Sequence, residues 1–311
     1  MKKLILSITL LLILTLVLNA NEFKVKSIKG EAKYKKGENW EKISNGTSLK
    51  ISDQIKLENG AKIQLEHKTG KEVSVDKSGF YSVAKLSAKL KSGNSNVSKK
   101  LANSLLDELG DSDDMLASGN INDNMATLGA VERAFNNKFT SASIIASLPR
   151  SSYSMDNNMK FTWYPMEGTK SYKLFIKNGL DEVIFSKETS ETELLVDLNQ
   201  AKLAVDECSY WMIQSGDYTS EEFCIYRMSG EQSKTVKNEL NSLKSELDLS
   251  NSMDNMILAK FYADNKIVNE ATEFFEKAIE IDPEVDAYRV LYAKYLLSIG
   301  LNDEAMEVVK K

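Results

Sequence analysis

The chain has 311 residues, of which 42% are hydrophobic and 27% are charged. This balance is typical of globular proteins and excludes wholesale disorder. Because the formal charge is −5, counterion release gives no drive toward nucleic acid, and we expect no nucleic-acid partner. Nearly all basic residues are lysines, so bidentate phosphate clamps are scarce. The arginines are Arg133, Arg150, Arg227 and Arg289.

The N-terminal segment has the layout of a secretory signal peptide. Lys2 and Lys3 precede an apolar run over 4–18, and the small residue Ala20 follows. The run is shorter than the roughly 20 residues that a membrane-spanning helix needs. We therefore expect residues 1–20 to be removed and the mature chain to be exported, periplasmic or secreted, without a membrane span. An uncleaved membrane anchor is the alternative.

Residues 21–90 predict a small antiparallel β domain. Apolar and polar residues alternate over 62–66 and 72–76, and turn signals such as Asn59-Gly60 and Thr69-Gly70 separate the strands. Glycine in these turns supplies the positive φ that they require.

Glycines and apolar residues recur at set spacings in this domain. They are Val25, Ile28, Gly30, Ala32, Trp40, Gly46, Leu49, Asp53, Ile55, Gly60, Ala61, Ile63, Leu65, Gly70, Val73 and Val75. In order and spacing they resemble the FecR-type domain, with Ser52 where that family usually has glycine. The resemblance implies envelope sensing or ligand binding. We interpret Trp40 as a core or lid aromatic and Asp53 as a turn-capping residue.

Residues 91–145 predict a partly helical linker region. Apolar residues recur at helical spacing over 97–109, and Gly110 is expected to end that helix. The acidic cluster that follows lacks the spacing of a calcium-binding loop, so we interpret it as a solvated helix end. Its members are Asp111, Asp113 and Asp114.

Residues 146–229 predict a β-sandwich of six strands with inward aromatic side chains. The positions that carry this pattern are Leu148, Pro149, Arg150, Phe161, Trp163, Gly168, Tyr172, Leu174, Ile176, Tyr210 and Trp211. They resemble a bacterial fibronectin type III-like module, which implies a spacer or interaction domain with Trp163 and Tyr172 in its core. An aromatic platform that stacks on sugars is the alternative for these two rings.

The chain has two cysteines, Cys208 and Cys224, on either side of a polar turn at 215–217. If that turn is the tip of a hairpin, the two cysteines lie directly opposite each other, at a separation that suits a disulfide. We expect the bond to form in an oxidising compartment, and two reduced buried thiols are the alternative.

Residues 230–311 predict a helical domain. An apolar stripe over 236–247 indicates one helix, which ends near Ser250. Further apolar, aromatic and small residues follow at a spacing that resembles a tetratricopeptide repeat, with a second partial unit one 34-residue period later. They are Leu258, Tyr262, Ala271, Phe275, Ala278, Pro283 and Ala305. A helical hairpin of no particular family is the alternative.

The repeat geometry predicts which residues would contact a partner. On the first helix of each hairpin these are Met253, Met256, Lys260, Val290 and Lys294. Such surfaces recognise helices or extended peptides, and methionine side chains adapt readily to different partners.

No residue pattern predicts a catalytic, cofactor-binding or metal-binding site. His67 is the one histidine of the chain, and we interpret it as a surface residue. It has no nucleophile elbow beside it, and no glycine-rich phosphate loop follows a strand. The sequence therefore predicts a protein that is not an enzyme and has no cofactor.

The sequence favours a non-enzymatic exported envelope protein that acts as a binding or scaffold module. Its partner would be an envelope protein or a cell-wall polymer such as a glycan. One alternative is a periplasmic ligand-sensing regulator that works through a membrane partner. Because carboxylates are plentiful, an envelope-remodelling hydrolase stays a further, unfavoured alternative. In fold class we expect a multidomain β plus α protein with an N-terminal β domain, a central sandwich and a helical C-terminal domain.

Overall fold

The computed structural model of the chain describes residues 21–36, 39–90, 96–117 and 143–310. The expected signal peptide lies outside these residues. The chain divides into two compact units, Met1–Ser87 and Ala88–Lys311. The described residues form sixteen strands and seven helices, which confirms the mixed β plus α class.

The first unit is built from eight short strands in two antiparallel sheets. The strands are β1 (Phe23–Lys29), β2 (Ala32–Lys36), β3 (Asn39–Lys42), β4 (Ser48–Leu49), β5 (Gln54–Leu57), β6 (Lys62–His67), β7 (Glu72–Val75) and β8 (Gly79–Ser82). The order is β4-β1-β6-β7 in one sheet and β3-β2-β5-β8 in the other. Alternate residues such as Val25 and Leu65 are buried, as the two-residue period predicts.

The predicted turns of this unit are confirmed by their backbone. Gly46, Gly60 and Gly70 have φ values of 85°, 75° and 81°, which side chains other than glycine rarely adopt. Asp53 caps a turn, since its Oδ2 accepts a hydrogen bond from the Lys50 N–H at 2.8 Å.

Trp40 is 40% exposed, so the expected core position was wrong, and its role as a lid stays a prediction. A second expectation for this region was also wrong. The end of the predicted β region is a helix, α1 (Val83–Leu90), because its exposed lysines, Lys85 and Lys89, lie one helical turn apart and leave the other positions to be buried.

The second unit contains the remaining strands in two sheets. They are β9 (Ser152–Ser154), β10 (Asn158–Thr162), β11 (Tyr172–Lys177), β12 (Val183–Thr189), β13 (Glu193–Asp197), β14 (Cys208–Ser215), β15 (Tyr218–Thr219) and β16 (Phe223–Arg227). The larger sheet has the order β12-β11-β14-β16-β9, with β15 paired to β14, and β10 pairs with β13. Both sheets contribute to one core, in which Phe161, Leu174 and Trp211 are fully buried.

The disulfide between Cys208 and Cys224 is present, with 5.5 Å between the two Cα atoms. The expected register was wrong, because Cys208 lies opposite Tyr226 and Cys224 lies opposite Tyr210. The cysteines are therefore diagonal neighbours on β14 and β16. Two one-residue offsets move the pair off the directly opposed position. Ser215 pairs with Tyr218, so the turn is centred between residues 216 and 217, and the register shifts by one further residue between β15 and β16.

The rest of the second unit is helical. Its helices are α2 (Asn96–Ala117), α3 (Gly230–Glu246), α4 (Ser252–Asp264), α5 (Val268–Ile281), α6 (Asp286–Ser298) and α7 (Asn302–Lys310). Helices α4 and α5 pack as one hairpin, and α6 and α7 pack as another. The expected end of α2 at Gly110 was wrong, because the helix continues through this glycine to Ala117. Within the part of the chain that the structure describes, no helix has the length and apolarity to cross a membrane.

Gly30 offers a test of packing in the first unit. Its φ is +84°, and an added Cβ would lie 2.8 Å from Ala61 Cα, whereas an added Cβ at Gly60 (φ +75°) would meet nothing within 4 Å. Both Gly30→Ala and Gly60→Ala carry the left-handed backbone cost of roughly 1–2 kcal/mol. We expect Gly30→Ala to lower the free energy of unfolding by about 1–3 kcal/mol more than Gly60→Ala. Urea unfolding followed by the NMR signals of first-unit residues measures both, and equal losses would contradict the close contact.

Candidate functional site

The predicted partner residues of the helical region are mostly buried. Met253 and Met256 have no exposed surface, and Val290 is 2% exposed. Lys260 and Lys294 are partly exposed.

Helix α2 accounts for this burial. It packs against α4 and α6, the first helices of the two hairpins. Leu101, Leu105 and Leu109 on α2 are buried, at the helical spacing of one face. A partner reaches none of the three apolar candidates while α2 is in place. Their role in partner binding stays a prediction.

Polar contacts hold α2 at both ends of the buried face. Lys260 Nζ lies 3.2 Å from Glu108 Oε1, and the Ser98 hydroxyl donates a hydrogen bond to Glu246 Oε2 at 2.7 Å. Burial lowers the pKa of Lys260, but its contacts with Asp264 and Glu108 outweigh burial and raise it. Lys260 therefore stays charged at neutral pH.

Beside Lys260 the second unit has an open groove of about 880 Å³. One wall comes from β9 and β16, and the other comes from α4, α5 and α6 with the turn before α7. This volume falls within the range of ligand sites in proteins. Arg150, Glu221, Lys260, Asp264 and Lys266 place charged groups along it.

Aromatic side chains make up much of the groove wall. Tyr153 on β9 and Tyr226 on β16 stack with their ring centroids 4.8 Å apart. On the helical side, Phe275 and Tyr295 stack at 5.1 Å. The Tyr295 hydroxyl is buried and has no hydrogen-bond partner among the described residues. Burial and, to a lesser degree, the charge of Glu270 raise the pKa of Tyr295, so its hydroxyl is a neutral donor.

Arg150 is the cation held most firmly at the groove. Its Nε donates to the Ser147 carbonyl at 3.1 Å, its Nη2 to the Ala146 carbonyl at 2.8 Å and its Nη1 to the Gly300 carbonyl at 2.7 Å. The guanidinium carbon lies 4.5 Å from the centre of the Phe223 ring. Burial lowers the pKa of Arg150, and nearby Glu304 and Glu221 oppose this effect.

Three hydrogen bonds leave two of the five guanidinium N–H groups of Arg150 without a partner among the described residues. No carboxylate of the described chain forms an ion pair with Arg150. The guanidinium is thus preorganised by backbone carbonyls and is able to accept a carboxylate from outside. Arg150 was not predicted as a site residue, and the rarity of arginine in the chain was the one weak signal that pointed to it.

A second cluster of reactive side chain types lies inside the first unit. His67 is 2% exposed, so the expected surface position was wrong. Its Nε2 lies 2.8 Å from Glu22 Oε1, and its Nδ1 accepts a hydrogen bond from the Thr69 N–H at 3.2 Å. The Ser87 hydroxyl donates to the same carboxylate oxygen of Glu22.

This arrangement is structural. Because Nδ1 accepts from a backbone N–H, the proton lies on Nε2 and points to Glu22. His67 therefore has no free lone pair with which to take a proton from Ser87. All three side chains are buried, and none of them lines the groove.

Burial raises the pKa of Glu22, but hydrogen bonds from His67, Ser87 and Lys68 outweigh it and lower the pKa to about 2. Glu22 is thus a buried carboxylate that stays ionised and stabilises the fold. The cluster joins β6 and α1 to the start of β1.

The structure shows no group of three or more histidine, cysteine, aspartate or glutamate side chains able to hold a metal among its described residues. For the acidic cluster at 111–114 the structure describes the backbone but not the side chains, so their expected role stays a prediction.

No protein family model matches the chain, and no curated protein sequence matches it. Among solved structures it is similar to a β-1,2-glucanase from Parabacteroides distasonis, at 12% identity and a TM-score of 0.20 over 54% of this chain and 32% of that one. A β-glucuronidase from Ruminococcus gnavus in complex with uronic isofagomine has the same identity and TM-score, over 54% of this chain and 40% of that one. The chain thus spans a third to two fifths of these enzymes. Likenesses this weak carry no argument about fold or function.

The cover formed by α2 is testable through methionine oxidation. We expect Met253 and Met256 to resist hydrogen peroxide in the wild-type protein, because α2 shields them. Leu105→Asp places a charge at a 1% exposed position and should loosen α2, so both methionines should oxidise several-fold faster. Mass spectrometry of the peptides measures this rate. Lys100→Asp, at an exposed position of the same helix, should leave it unchanged. Equal protection in Leu105→Asp would show that α2 does not cover them.

The depressed pKa of Glu22 predicts a pH dependence of stability. Its carboxylate stabilises the folded state above the unfolded pKa of 4.5, and this contribution is lost as the pH falls toward about 2. Between pH 5 and pH 2, we expect protonation of Glu22 to lower the free energy of unfolding of the wild-type first unit by about 3 kcal/mol. Glu22→Gln should abolish this contribution. Urea unfolding followed by the NMR signals of first-unit residues measures the difference. The exposed-site variant Glu31→Gln should keep the wild-type dependence, and a steep profile in Glu22→Gln would rule out this role.

Proposed function

We propose that this protein is a non-enzymatic exported envelope protein that acts as a binding module, and that the groove of the second unit binds a segment of a partner protein. The observation that carries the proposal is Arg150, a guanidinium preorganised at an aromatic groove without an acidic partner in the described chain. The segment would bring a carboxylate to Arg150 and an apolar or aromatic side chain to the rings beside it.

The chemistry of the groove supports a protein ligand. Aromatic rings and arginine are the residue types that dominate the energetics of protein interfaces. A guanidinium recognises a carboxylate through two parallel hydrogen bonds, and Arg150 has two N–H groups available. Burial at the groove strengthens such a contact relative to one in water.

The proposed setting rests on the sequence. The signal-peptide layout of residues 1–20 supports export, and the disulfide of the second unit is of the kind that persists outside the cytoplasm. The resemblances to a FecR-type domain, a fibronectin type III-like module and a tetratricopeptide repeat favour binding over chemistry. We accordingly place the protein in the periplasm or outside the cell.

Site-specific photocrosslinking in intact cells tests the proposal. A photoreactive amino acid at Ser298, an exposed residue of the groove, should give discrete adducts with one protein. The same group at Lys187, on the exposed side of β12, is the control and should not give them. Glycan-only adducts, or identical adducts at both positions, would contradict a protein ligand at the groove.

A charge-matched pair of arginine variants sharpens the test. Arg150→Gln removes the groove guanidinium, and we expect it to abolish the Ser298 adduct. Arg289→Gln removes a guanidinium that is already paired with Asp286 at 3.1 Å, and the adduct should persist. If both variants keep the adduct while the protein stays folded by circular dichroism, Arg150 does not bind the partner.

A further inference from the structure

One face of the sheet β3-β2-β5-β8 in the first unit carries four lysines and no acidic residue. In an antiparallel sheet, residues that lie directly opposite each other on neighbouring strands point to the same face. The strand registers of this sheet therefore define two rows of residues that run across all four strands on one face. The other face is buried through residues such as Ala32 and Ile55, so this one points outward. We call the outward set the lysine face. It consists of Lys33, Lys35, Trp40, Lys42, Gln54, Lys56, Phe80 and Ser82.

Three of these lysines form a row on neighbouring strands. Lys33 on β2 lies directly opposite Lys42 on β3 and, on its other side, opposite Lys56 on β5. Like charges that are directly opposed across a sheet destabilise it. The repulsion within the row thus lowers the stability of the sheet.

The charges of the face are largely uncompensated. Lys33, Lys35 and Lys42 form no ion pair with any residue that the structure describes. Lys56 Nζ lies 2.8 Å from Glu58 Oε1, and the hydrogen bond from Lys56, with the charge of Lys33, lowers the pKa of Glu58. Among the described residues, one carboxylate thus forms an ion pair with this group of four lysines. The net charge of the whole chain is −5. The face is a local positive patch on an acidic protein.

Two exposed rings lie over the same face. Trp40 is on β3 and Phe80 is on β8, the two edge strands of the sheet. Their ring centroids are nevertheless only 5.9 Å apart, so both side chains lean inward over the middle strands. They remain 40% and 67% exposed. Single exposed apolar residues are normal, whereas here two exposed rings lie together on one lysine-rich face.

We propose that the lysine face binds an acidic polysaccharide, a polymer with a carboxylate on its repeating sugars. Neighbouring strands lie about 4.8 Å apart, so the row of lysines presents positive charges at the short repeat of such a chain. Lysine ammonium groups act as point charges and require no fixed bidentate geometry, which suits a flexible polymer. The Trp40 and Phe80 rings offer apolar surfaces to the C–H faces of the sugars.

The choice of a polysaccharide over a nucleic acid rests on the proposed export, since a positive face with aromatic rings also suits single-stranded nucleic acid. The lysine face is a different site from the groove of the second unit. Loss of polymer binding at the lysine face is therefore distinguishable from loss of the protein adduct at the groove.

Binding of the purified protein to polygalacturonate at low salt tests the inference, with neutral dextran as the control polymer. We expect saturable quenching of Trp40 fluorescence by polygalacturonate, weaker at higher salt, and none by dextran. Lys33→Gln/Lys42→Gln should weaken binding by about tenfold or more. Lys24→Gln/Lys29→Gln removes the same charge from exposed positions of β1 and should change it by less than about twofold.

Stability provides the second readout. Because the lysines of the row repel one another, Lys33→Gln/Lys42→Gln should unfold at the same or a higher urea concentration than the wild type. Loss of binding then reflects the face and not unfolding. The inference is overturned if polygalacturonate does not bind, if both lysine pairs weaken binding equally, or if single-stranded DNA binds more tightly at the same salt concentration.

Discussion

The hydrogen bond from the Trp211 indole N–H to the Pro149 carbonyl, at 2.8 Å, is the contact on which the candidate groove depends. Trp211 is fully buried, and its ring packs edge to face with Phe161. On its other side it contacts Phe223, which lines the groove. A buried indole N–H without an acceptor would cost about 1–3 kcal/mol, so the chain before β9 is held in one place. Arg150 follows directly, and Phe223 forms the surface beneath its guanidinium.

Helix α2 decides which surface of the helical hairpins is available. The first helices of the two hairpins, α4 and α6, present apolar residues on the same side. Helix α2 covers that face with its own leucines and thereby completes the core. The open surface that remains lies toward β9 and β16, where charged and aromatic groups meet. The same packing that stabilises the hairpins thus moves the candidate site from Met253 and Met256 to Arg150.

The two candidate sites show how local arrangement outweighs net charge. At the groove a single guanidinium is fixed by three backbone carbonyl groups and keeps two N–H groups available, which favours one well-defined carboxylate. On the lysine face, directly opposed lysines are spread over three strands, which favours a repeating polyanion. A net charge of −5 describes neither of them. Arg150, Lys33, Lys35 and Lys42 form no ion pair with any residue that the structure describes, whereas Lys56 pairs with Glu58.

The sequence by itself determined most of the local structure. Alternation located strands such as β6, β11 and β14, glycines located the turns, and helical spacing located α3 to α7, because each pattern reports which face of one element is apolar. Only the tertiary structure decided what covers each face. The Glu22–His67 contact joins residues 45 positions apart, and Arg150 reaches the Gly300 carbonyl 150 positions away. No local period encodes such distant pairs, so the buried histidine, the placement of α2 and the groove emerge only when the elements pack.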